Sequence, residues 1–159
     1  MGIDVPPPGS RGTKTPGYLN RIFAPFMKLQ MARYRRNKGP AQPHMMGFPA
    51  LLLTTVGARS GQPRTVPLGG LPDGADAWLV VASAGGAARH PAWFINMAKH
   101  PDQIWIEVGS RKLKVTGESL QGLEREEALR RISAVAPRYG SYQQKTDRVI
   151  PIVRLSTLG

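Results

Sequence analysis

The sequence contains no cysteine and little histidine. Its 159 residues include three histidines, His44, His90 and His100, which are far apart. The lack of cysteine excludes disulfide bonds, thiol catalysis and cysteine-ligated metals, and it is compatible with a reducing cytoplasm. The histidines do not have the spacing of a metal site, so we expect a cytoplasmic protein without a metal.

Acidic residues are also few. The chain has 10 Asp and Glu against 22 Lys and Arg, which gives a net charge of +12. No carboxylate pair and no Ser-His-Asp arrangement indicates a hydrolase, so an enzyme of this composition has to take its reactivity from a cofactor. The excess of positive charge indicates an anionic partner and leaves three classes open: nucleic acid, an acidic membrane or a polyanionic small molecule.

Long apolar runs are missing as well. No window reaches the roughly 18 apolar residues that a membrane-spanning helix needs. Residues 1–8 lack the basic-then-apolar layout of a secretory signal. Residues 1–17 are rich in proline and glycine and predict a disordered leader. The remaining length predicts one domain, at 18–159.

Hydrophobic periodicity predicts a mainly β fold with flanking helices. We expect strands at 48–56, 62–68, 77–83, 103–108, 112–118 and 149–155, and helices at 18–38, 91–98 and 123–135. Pro63 and Pro67 place the second strand at an edge or a bulge. Six strands joined mostly antiparallel predict a small barrel.

The helix predicted at 18–38 is amphipathic. Its apolar stripe, which includes Ile22, Phe26, Met27 and Met31, is flanked by six basic residues. Such a helix either covers the barrel or a pocket mouth, or lies on an anionic bilayer as a peripheral contact at the inner face of the membrane. We favour the first interpretation and keep the second open.

Segment 57–64 predicts an anion site. Its glycines let backbone amides approach an anion closely, and Arg59 and Arg64 can fork onto phosphate oxygens. It is not a nucleotide-binding P-loop, because no Gly-Lys-Thr follows and no helix is predicted there. The alternative is an exposed hairpin with two solvated arginines.

Two further segments are candidates for binding a ring and donating a proton. Ser83 stands at a strand end before a small-residue loop, against which a planar ring can lie; the alternative is an ordinary turn. Tyr139 and Tyr142 can face one cavity, and a phenol with a pKa near 10 can donate a proton. Packing is the alternative for both tyrosines. Asp147 and Arg148 are expected to form a structural pair.

Four motifs, in this order, resemble one family. They are LLLTTVGARSGQPRTVPL at 51–68, VVASAGGAARHPAWFINMAKHPD at 80–102, IEVGSRKLKVTG at 106–117 and APRYGSYQQKTDRVIPIVRL at 136–155. The chain thus resembles the deazaflavin-dependent nitroreductases, also described as coenzyme F420-dependent quinone reductases. The resemblance implies a split β-barrel of the flavin-reductase and FMN-binding type, in which reduced F420 passes a hydride to quinones, enones or nitro compounds. F420 carries a phosphodiester and a glutamate tail, so it is the kind of polyanion that the charge indicates.

The resemblance also implies which residues form the site. It assigns the phosphate and tail to Arg59, Ser60 and Arg64, the deazaflavin to Ser83, Gly85, Gly86 and Trp93, and the catalytic, substrate-facing side to Tyr139, Tyr142 and Ser83.

Four positions depart from the family pattern. Members of the family usually have two basic residues after the glycine at position 57; here Ala58 takes the place of one, so that only Arg59 is charged. Ala84 stands where the family often has a lysine. Gly69 and Ala136 stand where some members have tyrosine. The smaller residues predict a wider and less polar pocket, so activity on nitroimidazole-type substrates is less expected.

Three rival functions remain. The first is a split-barrel oxidoreductase that binds FMN, and the second is a non-catalytic, membrane-associated deazaflavin-binding protein. The third, nucleic-acid binding, is disfavoured because the basic residues are spread over helix and turn without an aromatic stacking platform.

Overall fold

The computed structural model describes residues 2–13, 25, 28–29, 31–36, 44–45 and 47–158. Within these residues eight strands form one antiparallel sheet. They are β1 (His44–Met45), β2 (Phe48–Val56), β3 (Pro63–Gly69), β4 (Leu71–Pro72), β5 (Ala77–Val81), β6 (Trp105–Val108), β7 (Arg111–Ser119) and β8 (Ile152–Thr157). The strand order is β1-β2-β6-β7-β8-β5-β4, and β3 pairs with β2. The predicted mainly β class with flanking helices is confirmed.

The helices that flank the sheet are α1 (Ala92–Lys99), α2 (Gly122–Val135) and α3 (Arg138–Lys145). The first two lie within one residue of their predicted positions. The third was not predicted, because its sequence, RYGSYQQK, contains glycine and serine and is polar apart from its two tyrosines. Among the described residues, no helix has the length and apolarity to cross a bilayer.

Strand β2 is almost entirely apolar because both of its faces are covered. Successive side chains of a strand point to opposite faces. Leu51 and Leu53 enter the main core together with residues of α1, whereas Ala50 and Leu52 pack on the other face beside Tyr34. A strand buried on both sides loses the usual alternation of apolar and polar residues.

Strand β3 lies at an edge, as its prolines predict. It pairs with β2 in a register that places Val56 opposite Pro63 and Leu52 opposite Pro67. Proline has no N–H for a second neighbour, so it is tolerated on a strand that pairs on one side. The turn between the two strands is closed by bonds from the Gly57 amide to the Gln62 carbonyl (2.8 Å) and from the Gly61 amide to the Gly57 carbonyl (2.9 Å).

The helical residues 31–36 lie against the outer face of the barrel. The Tyr34 hydroxyl donates to the carbonyl of Ala50 (2.9 Å) and accepts from the amide of Gly109 (3.0 Å), and burial raises the pKa of this phenol. Arg35 forms a two-pronged ion pair with Glu107, at 3.0 and 3.1 Å. These contacts support the interpretation that the helix covers the barrel. The predicted stripe residues Ile22, Phe26 and Met27 lie outside the described residues.

The N-terminal residues 2–13 have defined contacts instead of the predicted disorder. The amide of Ser119 donates to the carbonyl of Gly2 (2.9 Å), and the amide of Gly9 donates to the carbonyl of Ala88 (2.8 Å). Composition alone suggested a leader, because proline and glycine are also common in segments without structure. Here they let an extended chain lie close to the domain. Residues 14–17 of the predicted leader lie outside the described residues.

Replacement of Tyr34 by Phe should destabilise the fold. The change leaves the Gly109 amide and the Ala50 carbonyl without their hydroxyl partner, so we expect the free energy of unfolding to fall by about 1–2 kcal/mol. Urea denaturation measures it. Arg33→Gln, on an exposed side of the same helical segment, is the control, and an equal loss in both variants would contradict the role assigned to the hydroxyl.

Candidate cofactor site

The anion turn, which comprises residues 57–64 and includes the start of β3, is held from inside by helix α1. Asn96 is buried, with 6% of its surface exposed. Its side-chain oxygen accepts from the Ala58 amide (2.9 Å), and its side-chain nitrogen donates to the Thr55 hydroxyl (3.1 Å). The turn is therefore fixed by an amide that the sequence analysis did not identify as a site residue.

Two arginines project from this hairpin without carboxylate partners among the described residues. Arg59 and Arg64 are both exposed, and neither takes part in an ion pair of the described part of the chain. Arg64 lies opposite Thr55 in the β2–β3 register. Since cross-strand partners share a face of the sheet, Arg64 leaves the hairpin on the side of α1. The Ser60 hydroxyl accepts from the Gln62 amide (3.2 Å) and keeps its own proton free to donate.

A second segment, the glycine loop at residues 82–88, has an unusual backbone. Ala84, Gly85 and Gly86 have consecutive positive φ angles of 46°, 63° and 85°. This conformation is unfavourable for alanine and persists where the surroundings hold it. At Gly86 a side chain would meet α3, since a Cβ atom would lie 3.1 Å from the Tyr142 carbonyl oxygen.

The surroundings of the loop are dominated by Arg148, which is 2% exposed. Its guanidinium donates to the carbonyls of Ser83 (2.7 Å), Ala87 (2.7 Å) and Ala82 (3.2 Å). The predicted pair between Arg148 and Asp147 is wrong. Asp147 is exposed and accepts from the backbone amides of residues 10 and 11 at 2.9 Å instead. The two neighbours point in opposite directions, so Arg148 reaches the interior without a carboxylate.

His90 adds a further partner for this buried cation. Its Nδ1 lies 3.1 Å from an Arg148 nitrogen, and its Nε2 lies 2.7 Å from the Pro6 carbonyl. Because the guanidinium can only donate and the carbonyl can only accept, His90 is the neutral tautomer with its proton on Nε2. Burial, and then the charge of Arg148, lower the pKa of His90.

The loop presents unused donors. Ser83 is right-handed (φ −79°, ψ −35°) and left-handed residues follow it, an arrangement that turns successive amides in one direction. The amides of Ser83, Ala84 and Gly85 have no hydrogen-bond partner among the described residues. Neither does the Ser83 hydroxyl. The loop can therefore bind a ligand that offers acceptor oxygens or negative charge.

The aromatic site candidates lie at different depths. Trp93, which the resemblance assigns to the deazaflavin, is buried in the main core, edge-on to Phe94 at 6.3 Å between ring centroids. Tyr139 is 6% exposed and stacks on Phe48 at 5.6 Å, and burial raises its pKa. Tyr142 is half-buried and meets Tyr139 edge-on at 5.9 Å.

Helix α1 connects the two segments. Trp93 and Phe94 stand in its first turn near the glycine loop, where His90 and Phe94 lie 5.3 Å apart, and Asn96 stands at the anion turn. The Tyr142 backbone contacts Gly86 from α3. The structure thus places Ser83, Gly85, Gly86 and Tyr142 around one loop, and the two arginines around another. Among the described residues, no cluster of His, Asp or Glu has the form of a metal site.

Among the described residues, arginines without carboxylate partners and amides without acceptors make this half-barrel suited to an anionic ligand that carries acceptor oxygens. Residues 26–157 match the family model of the F420H(2)-dependent quinone reductases. The chain belongs to this family.

Relatives and solved structures agree with the family. The chain is 39% identical, over 137 residues, to an F420H(2)-dependent quinone reductase of Mycobacterium tuberculosis, covering 82% of this chain and 89% of that protein. It is 34% identical to a solved F420-H2 dependent reductase (FDR-A), with a TM-score of 0.62, covering 74% of this chain and all of that one. A structure described as a domain-swapped dimer is 30% identical, with a TM-score of 0.64, covering 86% of this chain and 98% of that one. The predicted split barrel is thereby confirmed.

The neutral state of His90 predicts a pH dependence of stability. Because its pKa lies below the ordinary value of 6.5 in the folded protein, the unfolded chain takes up a proton first as the pH falls. This group therefore lowers the stability as the pH drops below about 6.5 towards its folded pKa, and has no effect at higher pH. In urea denaturation at about pH 7 and about pH 5, we expect His90→Gln to lose less stability between the two than the parent.

His100→Gln is the matched control for this pH experiment. His100 follows α1 and makes no contact with Arg148 or Pro6 in the described part of the chain. An identical pH dependence in the parent and in His90→Gln would contradict the assignment.

Proposed function

We propose that this protein reduces a quinone with a hydride from reduced F420. The observation that carries the proposal is the supply of unused donors: within the described part of the chain, two arginines of the anion turn and three amides of the glycine loop have no partner. F420 has a phosphodiester and carboxylates for the arginines and ring carbonyls for the amides. The name of the family, and of the relatives in Mycobacterium tuberculosis, supports the same cofactor and acceptor.

In this proposal the chain's own residues bind and orient. Arg59, Arg64 and the Ser60 hydroxyl bind the phosphate and tail, and charged hydrogen bonds of this kind are the stronger ones. The amides of Ser83 and Gly85 bind the ring, and Trp93 supports the loop from the core. When bound, the reduced deazaflavin supplies the hydride. Arg148 would place a positive charge behind the loop and so would influence the electronics of a ring bound there.

The acceptor also needs a proton or a hydrogen-bond donor once the hydride has arrived. Tyr142, Tyr139 and the Ser83 hydroxyl are the proposed donors. Tyr142 is the more accessible phenol and lies beside the glycine loop, whereas burial makes Tyr139 the weaker acid. We therefore assign the donor role to Tyr142 or Ser83 and a supporting role to Tyr139.

Enones are the second acceptor class that we propose, because the site needs only an electrophilic carbon and a donor for the oxygen. We further propose a cytoplasmic location. The contacts of Tyr34 with the barrel favour a covering role for its helix, and peripheral contact with a membrane remains the alternative.

Binding of F420 should depend on both arginines of the anion turn. We expect Arg59→Ala and Arg64→Ala each to raise the Kd for F420 by about 10- to 100-fold, the cost of one charged hydrogen bond. Fluorescence titration measures the Kd. Arg111→Ala is the matched control, since it removes the same charge at the β6–β7 hairpin, where Arg111 pairs with Val108. Equal weakening in all three variants would mean that general attraction, not this turn, binds the anion.

The same titration with FMN tests the rival cofactor. Tighter binding of FMN than of F420 would support the flavin alternative. A parent that binds F420 tightly but reduces no quinone would support the non-catalytic carrier.

Replacement of Tyr142 by Phe tests the proton donor. An enolate is strongly basic and needs a full proton, so turnover on an enone should fall by about 10²-fold if this phenol is the general acid. Quinone reduction should fall less, because a hydrogen bond is enough for the less basic quinol oxygen. The Kd for F420 should stay unchanged. Steady-state rates of Tyr142→Phe and Tyr139→Phe on one enone and one quinone test this role, and near-parental rates throughout would exclude both phenols and leave the Ser83 hydroxyl or water as the donor.

A further inference from the structure

The N-terminal residues 2–13, which we call the strap, are attached to the domain along their length. Ile3 packs against the main core, and the Asp4 amide donates to the Ser119 hydroxyl (3.0 Å). The carbonyl of Pro6 accepts a hydrogen bond from Nε2 of His90 (2.7 Å). The strap therefore starts at the end of β7 and passes the histidine that contacts Arg148.

The second half of the strap is held by Asp147. This carboxylate accepts from the amides of Ser10 and Arg11, both at 2.9 Å, and from the Ser10 hydroxyl. The hydrogen bonds from Ser10 and Arg11 lower the pKa of Asp147 to about 2. The Thr146 hydroxyl donates to the Arg11 carbonyl (2.7 Å). The residue that the sequence analysis paired with Arg148 thus fixes the strap instead.

The last residues of the strap bind the glycine loop directly. The amide of Thr13 donates to the Gly86 carbonyl (3.0 Å), and its hydroxyl donates to the Gly85 carbonyl (3.0 Å). Gly12 lies so close that a Cβ atom there would be 2.7 Å from the Gly86 carbonyl oxygen and nearer still to the Ala88 nitrogen. Only glycine fits at this point without moving the strap or the loop.

With the strap in place, every backbone carbonyl from 82 to 88 has a donor. Arg148 donates to the carbonyls of residues 82, 83 and 87, and Thr13 donates to those of residues 85 and 86. The Gly9 amide donates to the carbonyl of residue 88, and the Ala87 amide donates to that of residue 84. The amides of residues 83–85 remain without a partner among the described residues. The strap and Arg148 therefore occupy the carbonyl acceptors of the loop and leave its amide donors for a ligand. Backbone groups that lack a partner in the protein are expected to find one elsewhere.

We infer that Gly12 and Thr13 are positioning residues of the cofactor site: they hold the glycine loop in its left-handed conformation, with its amides free for the acceptor oxygens of the ring. The inference rests on the proposed function for the identity of the ligand. Arg148 alone leaves the carbonyls of Gly85 and Gly86 without a partner. The strap supplies these two bonds directly after Ala84, the residue of the loop whose positive φ angle is unfavourable for its side chain.

The matched pair Gly12→Ala and Gly2→Ala tests this role. A Cβ atom at Gly2 would meet nothing within 4 Å, so Gly2→Ala makes the same chemical change without a clash. A second pair isolates the hydroxyl: Thr13→Val removes the donor to Gly85, and Thr13→Ser keeps it. Ile132→Val, in the core beneath α2, controls for a general loss of stability.

Two readouts are combined. The first is the Kd for F420 by fluorescence titration, and the second is hydrogen exchange of the loop without any ligand. We expect Gly12→Ala and Thr13→Val to raise the Kd by about 3- to 10-fold, the effect of one neutral hydrogen bond. We also expect them to speed exchange of the Gly86 and Ala87 amides. Gly2→Ala, Thr13→Ser and Ile132→Val should match the parent in both readouts.

The outcomes separate this inference from the proposed function. Faster loop exchange with parental F420 affinity would show that the strap supports the fold and not the site, which overturns the inference. Parental exchange and parental affinity in Gly12→Ala would overturn it as well. If the parent itself fails to bind F420, the proposed function fails first, and the cofactor role of the strap fails with it.

Discussion

The candidate site depends on one buried charge. The guanidinium of Arg148 is removed from water without a carboxylate to neutralise it, which is unfavourable unless other groups solvate it. The carbonyls of Ala82, Ser83 and Ala87 do so. Burial of the charge and folding of the loop are therefore one event, because neither the cation nor the left-handed backbone is favourable without the other.

This interaction gives the loop a polarity. Carbonyls that face a cation on the inside leave amides on the outside, so the loop presents partial positive charge to a ligand. The anion turn also presents positive charge to a ligand, but there the charge comes from the exposed side chains of Arg59 and Arg64. Helix α1 keeps the two at a fixed separation, since Asn96 bonds the turn and the Phe94 ring contacts His90 beside Arg148.

The local elements of the fold could be predicted from the sequence. Burial and backbone angles constrain the type of residue at each position. For this reason the sequence alone indicates a strand at β2 from its apolar run, an edge strand at β3 from its prolines and a helix at α2 from its periodicity. Helix α3 could not be predicted in this way, because its stability comes from contacts of Tyr139 with Phe48 and of Tyr142 with the loop, not from its own sequence. The motif marks Tyr139 as a site candidate but carries no information on its burial, which packing on Phe48 decides.

The sequence by itself indicated an anionic ligand, excluded cysteine chemistry, located the six longer strands and carried the motifs that identify the family, whereas the two-residue strands β1 and β4 were not predicted. The tertiary structure decided the partners. Arg148 separates from its neighbour Asp147, Asn96 fixes a turn almost 40 residues away, and the strap lies on the glycine loop instead of remaining free. These are contacts between residues distant in the chain, and a one-dimensional pattern of hydrophobicity and turns carries no information on which distant groups meet.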